Sequence, residues 1–167
     1  MQNYESVLRY AMQMELDGHN FYMENKDKFA KTTSKKMFLE LADIEMKHYD
    51  YLKSLLDTYL ETNTIKIDPE MIEKEEDMDI FRDREESEKI EYTLEQSDIP
   101  DLTILRMAYL IERDYKEFYE NVAQNSEDEE IKEVFTTLAK WEAGHEELFK
   151  TEYNRLMKEY MNLPWGG

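Results

Sequence analysis

Residues 11–48 lie on residues 108–145 at a constant offset of 97, without a gap. AMQMELDGHNFY falls on AYLIERDYKEFY, and FLELADIEMKH falls on FTTLAKWEAGH. Ala11 pairs with Ala108, Glu15 with Glu112, Phe21-Tyr22 with Phe118-Tyr119, and Phe38 with Phe135. Leu41-Ala42 then matches Leu138-Ala139, Glu45 matches Glu142, and His48 matches His145. A gapless repeat of this length requires both copies to be the same supersecondary unit in the same internal register.

Each copy reads as a pair of helices. Leu8, Ala11, Glu15, Gly18 and Tyr22 recur at spacings of three and four, as do Phe38, Leu41, Glu45, His48, Leu52 and Leu55. The second copy has Leu105, Ala108, Glu112, Tyr115 and Tyr119, then Phe135, Leu138, Glu142, His145 and Phe149. Such spacing marks one buried face per helix. With only four glycines and three prolines, the chain has little turn chemistry for a sheet. The reading is an all-α four-helix bundle of one domain over 1–167. Hairpin 1 spans about 4–61, the crossover about 62–98 and hairpin 2 about 99–161, with long helices near 4–29, 34–61, 99–124 and 127–161. Pro69 and the charges after it suggest a short, exposed crossover helix. Asp98 with Pro100, and Ser126 with Glu129, read as helix starts, and NLPWGG as the last helix's stop.

Six polar residues stand where the stripes call for hydrophobes: Glu15, Glu45, His48, Glu112, Glu142 and His145. LAKWEAGHEELF concentrates the problem, since Leu138, Trp141 and Phe149 suggest that the face carrying Glu142 and His145 turns inward. Residues i and i+3 of a helix project from one face about 5–6 Å apart at Cβ, close enough to ligate one metal. A dinuclear carboxylate site takes one Glu from each of two helices and a Glu-x-x-His from each of the other two. Glu15 and Glu112 supply the single glutamates; Glu45/His48 and Glu142/His145 supply the paired motifs. One Glu-x-x-His on a Glu-rich helix is commonplace, but two at equivalent places in a gapless repeat are not. Two divalent ions cancel the charge of four glutamates, which would otherwise be costly to bury.

Charge and composition bound the partners. The net charge of −19 argues against nucleic acid. No apolar run approaches the roughly 20 residues needed to span a bilayer, and MQNYESVLRY lacks a signal peptide's apolar stretch. The expectation is a cytoplasmic protein with no membrane partner. The absence of cysteine excludes thiolate metal ligation by this chain and leaves oxygen and imidazole donors.

ELDGHNFY, LADIEMKH, IERDYKEFY and LAKWEAGH resemble the erythrin domain of rubrerythrins, in the ferritin-like superfamily, over almost the whole chain. The resemblance implies a ferritin-like bundle and a non-haem centre of two Fe ions per chain, although such ligands also accept Mn or Zn in vitro. It casts Glu45 and Glu142 as bridging carboxylates, Glu15 and Glu112 as terminal ligands, and His48 and His145 as ligands of one iron each. Catalysis would run through these six. Tyr22 and Tyr119 would orient carboxylates, and Tyr115 lies beside the same site. Tyr115 also departs from the pattern, standing where rubrerythrins place a further glutamate tied to their peroxidase cycle. Rubrerythrins carry a C-terminal rubredoxin domain on four cysteines; a chain without cysteine would need a separate electron-donor protein such as a rubredoxin. A homodimer is a further implication. The six-ligand set is also similar to the ferroxidase centre of bacterioferritin, whose haem methionine corresponds to Met46; we read Met46 as a packing residue, without haem, and His19 as an exposed helix residue. The leading expectation is an oxidoreductase that reduces hydrogen peroxide or dioxygen. Iron sequestration with ferroxidase chemistry, and a metal-stabilised bundle without turnover, are the alternatives.

Overall fold

The computed structural model describes residues 3–29, 32–67 and 99–162. It contains four long helices: α1 (Tyr4–Asn25), α2 (Thr32–Thr62), α3 (Ile99–Asn125) and α4 (Glu129–Met161). A 3-10 turn, Lys26–Lys28, lies between α1 and α2, and no strand occurs among the described residues. The all-α bundle expected from the repeat is present. Asp98, the crossover helix expected after Pro69 and residues 163–167 lie outside the described residues.

The ends of the helices follow local chemistry. The Asn3 side chain accepts from the Ser6 N–H at the start of α1. The helix stops at Asn25 rather than continuing to 29. There the Asn25 amide donates to the Phe21 carbonyl at 2.8 Å, Lys28 Nζ donates to Asn25 Oδ1 at 3.0 Å, and the backbone is extended by Phe29. Asn63, with φ of 54°, ends α2 in the left-handed conformation that asparagine tolerates. The cap of α4 is Asp128, not the Ser126/Glu129 box. Its carboxylate accepts from the Glu130 and Ile131 N–H groups at 2.9 and 3.3 Å, and its charge complements the helix dipole. Ser126 instead accepts from the Asp128 N–H at 3.2 Å and bonds the Tyr4 hydroxyl at 3.0 Å.

Pairings across the bundle set its topology. α1 meets α3 through Tyr22 with Glu112 and through Glu15 with Tyr119, so the two helices run antiparallel. α2 meets α4 through His48 with Glu142 and through Glu45 with His145, again antiparallel. The end of α2 and the start of α3 therefore lie at opposite ends of the bundle. α2, at 31 residues, is ~46 Å long, and the end of α2 and the start of α3 are separated by a comparable distance. After α2 ends, Ile65 is buried in the same apolar cluster as Leu55, Leu56, Tyr119 and Ile131.

The core has two apolar parts. Leu8, Ala11, Leu52, Leu55, Tyr119, Ile131, Phe135 and Leu138 belong to one. Tyr22, Phe38, Leu41, Leu105, Ala108, Phe149 and Leu156 belong to the other. The second is rich in ring contacts: Phe38 meets Phe29 at 4.6 Å, Tyr22 at 5.1 Å and Phe149 at 5.8 Å between centroids. Every stripe position named from the sequence is buried except Tyr115, which is half-buried. Trp141, expected to face inward, is also half-buried. His19 is not an exposed helix residue: it is half-buried, and its Nδ1 bonds the Ala42 carbonyl at 2.7 Å, tying α1 to α2.

Phe38→Ala should cost about 3–5 kcal/mol, because it removes a fully buried ring with several aromatic neighbours. Asp128→Ala should cost about 1 kcal/mol through the lost cap. Urea denaturation of both variants checks the ranking.

Candidate metal centre

Between the two apolar parts lies a layer of charge. Glu15 on α1, Glu45 and His48 on α2, Glu112 on α3 and Glu142 on α4 are fully buried, and His145 on α4 is 6% exposed. The helical period that places apolar residues toward the core places these six there as well. All six expected site residues meet.

Their polar atoms fall into two groups. Glu15, Glu45, His48 and Glu142 form one; Glu45, Glu112, Glu142 and His145 form the other. Within each group, one donor atom per residue lies within 4.8 Å of the rest. Glu45 and Glu142 belong to both. His48 Nδ1 lies 3.3 Å from Glu15 Oε2 and 3.2 Å from Glu142 Oε1. His145 Nδ1 lies 3.2 Å from oxygens of both Glu112 and Glu142 and 3.7 Å from Glu45 Oε1. Both imidazoles thus aim the same ring nitrogen at the carboxylates, one from each hairpin.

Two tyrosines join the hairpins across this layer. The Tyr22 hydroxyl donates to Glu112, and the Tyr119 hydroxyl donates to Glu15. Each tyrosine thus fixes the lone glutamate of the other hairpin, and the repeat symmetry makes the bonds reciprocal. Burial, reinforced by the surrounding glutamates, raises both phenols well above their ordinary range, so they remain donors. The Tyr115 hydroxyl turns away, donating to the Met14 carbonyl at 2.5 Å.

The remaining charges conflict. Burial raises Glu45 far above the usual carboxylate range, helped by the charges of Glu142, Glu15 and Glu112. Burial likewise pushes Glu112 up to about 8, although His145 works against it. Burial disfavours the charged forms of Glu142 and His145 as well. Hydrogen bonds from His145 and His48 nevertheless hold Glu142 below the usual carboxylate range, and Glu112 and Glu142 raise His145 to about 10. Neither oxygen of Glu45 has a hydrogen-bond partner. A buried carboxylate without a donor is a costly arrangement that a cation relieves. The donor set of four carboxylates and two imidazoles fits hard or borderline metals such as iron, manganese or zinc.

The sequence reading missed the role of Gly18. A Cβ there would meet Glu45 Oε2 at 3.0 Å and the Tyr115 ring at 3.2 Å. Gly18 and Tyr115 occupy equivalent places in the repeat, so a small residue in one copy makes room for a large one in the other. A glycine inside a long helix, unfavourable by about 1 kcal/mol against alanine, was the available signal.

A four-helix bundle with two interlocking carboxylate–histidine groups at its centre defines a ferritin-like protein with a candidate metal site. The Rubrerythrin family model matches residues 6–153, and the chain belongs to that family. No curated protein and no solved structure matches the chain.

Metal removal should reveal the conflict of charges. Glu45, Glu112 and His145 are raised in the folded state, so without metal the folded chain holds protons that the unfolded chain releases. Stability contributed by these groups is present at low pH and is lost as pH rises from about 4.5. The loss continues through about 8 for Glu112 and about 10 for His145. Glu142 acts oppositely, but its window lies below the ordinary carboxylate range. Melting of chelator-treated protein should occur at a lower temperature at pH 9 than at pH 6, and added metal should narrow the gap.

Gly18→Ala should weaken metal binding about tenfold by crowding Glu45. Gly144→Ala, whose Cβ would meet nothing within 4 Å, should instead stabilise the chain by about 0.5–1 kcal/mol. Metal titration and denaturation of both variants distinguish the two glycines.

Proposed function

We propose that the chain is a di-iron oxidoreductase that reduces hydrogen peroxide or dioxygen with electrons from a separate donor protein in the cytoplasm. The observation that carries this reading is the sharing of Glu45 and Glu142 between the two donor groups. Two carboxylates common to two donor groups would serve two ions, with Glu15 and His48 completing one group and Glu112 and His145 the other. Iron held by these residues would supply the electrons for two-electron reduction of an O–O bond, to be replaced by the donor.

The chain's own groups set the conditions. The apolar clusters on either side exclude bulk water, so the charge of the carboxylates acts at low dielectric. Tyr22 and Tyr119 keep their protons and orient Glu112 and Glu15 by donating to them. Glu45, neither of whose oxygens has a hydrogen bond, would be free to adjust its carboxylate toward a bound ion. Tyr115 stands where the family's additional glutamate would be, and its hydroxyl bonds the α1 backbone at Met14 rather than any of the six. On this reading the chain offers six residues to hold the metal.

Anaerobic Fe(II) titration of metal-stripped protein should saturate at two ions per chain. One pulse of hydrogen peroxide should then oxidise the bound iron faster than the same concentration of free iron. A loaded protein that consumes neither peroxide nor dioxygen above the rate of free iron would exclude the oxidoreductase reading.

A further inference from the structure

Trp141, the residue before Glu142, is half-buried on α4, and its indole lies flat on the imidazole of His48 across the bundle. The ring centroids are 4.9 Å apart and the planes differ by 13°. His48, fully buried, is in turn nearly parallel to His145 at 6.1 Å and 14°. Three aromatic rings therefore form one stack from the protein surface to both donor groups.

The repeat does not require an indole here. The equivalent position in hairpin 1 is Ile44, an aliphatic residue 3% exposed. The other aromatic residues bonded to the six, Tyr22 and Tyr119, are fully buried and have no surface to offer. Tyr115 reaches the surface, but its hydroxyl is committed to the Met14 carbonyl. Outside the six, Trp141 is a half-buried aromatic side chain that stacks on a histidine of the site.

We infer that Trp141 is the point of electron entry, coupling a one-electron donor protein docked at the surface to the metal pair through His48. This rests on the redox reading above. Electronic coupling falls steeply with distance, and the Trp141–His48 stack at 4.9 Å shortens the gap between a surface donor and a buried acceptor. The donor would give one electron per encounter, enough to take one bound Fe(III) to Fe(II); no bond of the indole or imidazole forms or breaks. Two such transfers reset the pair. Those two electrons and two protons convert one hydrogen peroxide into two waters. Trp141 is a positioning residue in this scheme, acting through His48.

The test separates the two half-reactions of the iron-loaded protein. Reduced methyl viologen serves as the one-electron probe for the oxidised form, and hydrogen peroxide for the reduced form. Trp141→Leu and Trp141→Met should slow reduction by viologen about tenfold while leaving oxidation by peroxide unchanged, and Trp141→Phe should restore most of the rate. If reduction is unaffected, or both half-reactions slow together, Trp141 only props His48 and the inference is overturned. A readout independent of turnover uses Co(II), which quenches indole emission on close contact. In a Trp165→Phe background, Co(II) loading should extinguish most of the Trp141 fluorescence; undiminished emission would also overturn the inference. Should the reduced wild-type protein fail to react with peroxide, the oxidoreductase reading falls separately, and the viologen rates still decide the role of Trp141.

Discussion

Four buried carboxylates at the centre of the bundle are the constraint on which the rest of the structure depends. Each unpaired charge in a dry interior costs several kcal/mol, and the apolar clusters on either side leave bulk water little access. Two imidazoles and two phenols meet part of the demand, but both Glu45 oxygens still lack a hydrogen bond. Without a cation, protons must take the remaining charge, as the raised Glu45 and Glu112 indicate. The arrangement conflicts with folding of the bare chain and suits a bundle closed around metal, in which binding energy also becomes folding energy.

The same layer joins the two halves. Each hairpin is a local unit, with α1 packed on α2 and α3 on α4. Glu112 of one hairpin is held by Tyr22 of the other, and Glu15 by Tyr119, so neither half completes the site alone. Glu45 and Glu142 extend this dependence, because each contributes to the donor groups on both sides. Symmetry explains the economy of the design and also its exceptions. Gly18 against Tyr115, and Ile44 against Trp141, are places where the two copies diverge, and both pairs flank the site.

Those exceptions mark how far sequence alone could lead. Glu15, Glu45, His48, Glu112, Glu142 and His145 were legible because a charge on an apolar helical stripe contradicts its own periodicity, and the repeat showed the contradiction twice. The hairpins followed from the same spacing. The close approach of Gly18 to Glu45 was not legible, since it depends on which glutamate oxygen faces which helix. Nor was the tilt that lays Trp141 on His48, because spacing places a residue on a face without fixing its ring. At helix ends, local competition decided. Asp128 displaced the Ser126 cap because a charged acceptor suits a helix start better, and Asn25 ended α1 by taking up a carbonyl of its own helix.

Crystals of iron-loaded protein, measured on both sides of the iron absorption edge, test the central claim most directly. The account predicts two anomalous peaks in the middle of the bundle, one bordered by Glu15 and His48 and the other by Glu112 and His145, with Glu45 and Glu142 touching both. A single peak bound by one hairpin, or no peak between the two apolar clusters, would contradict it.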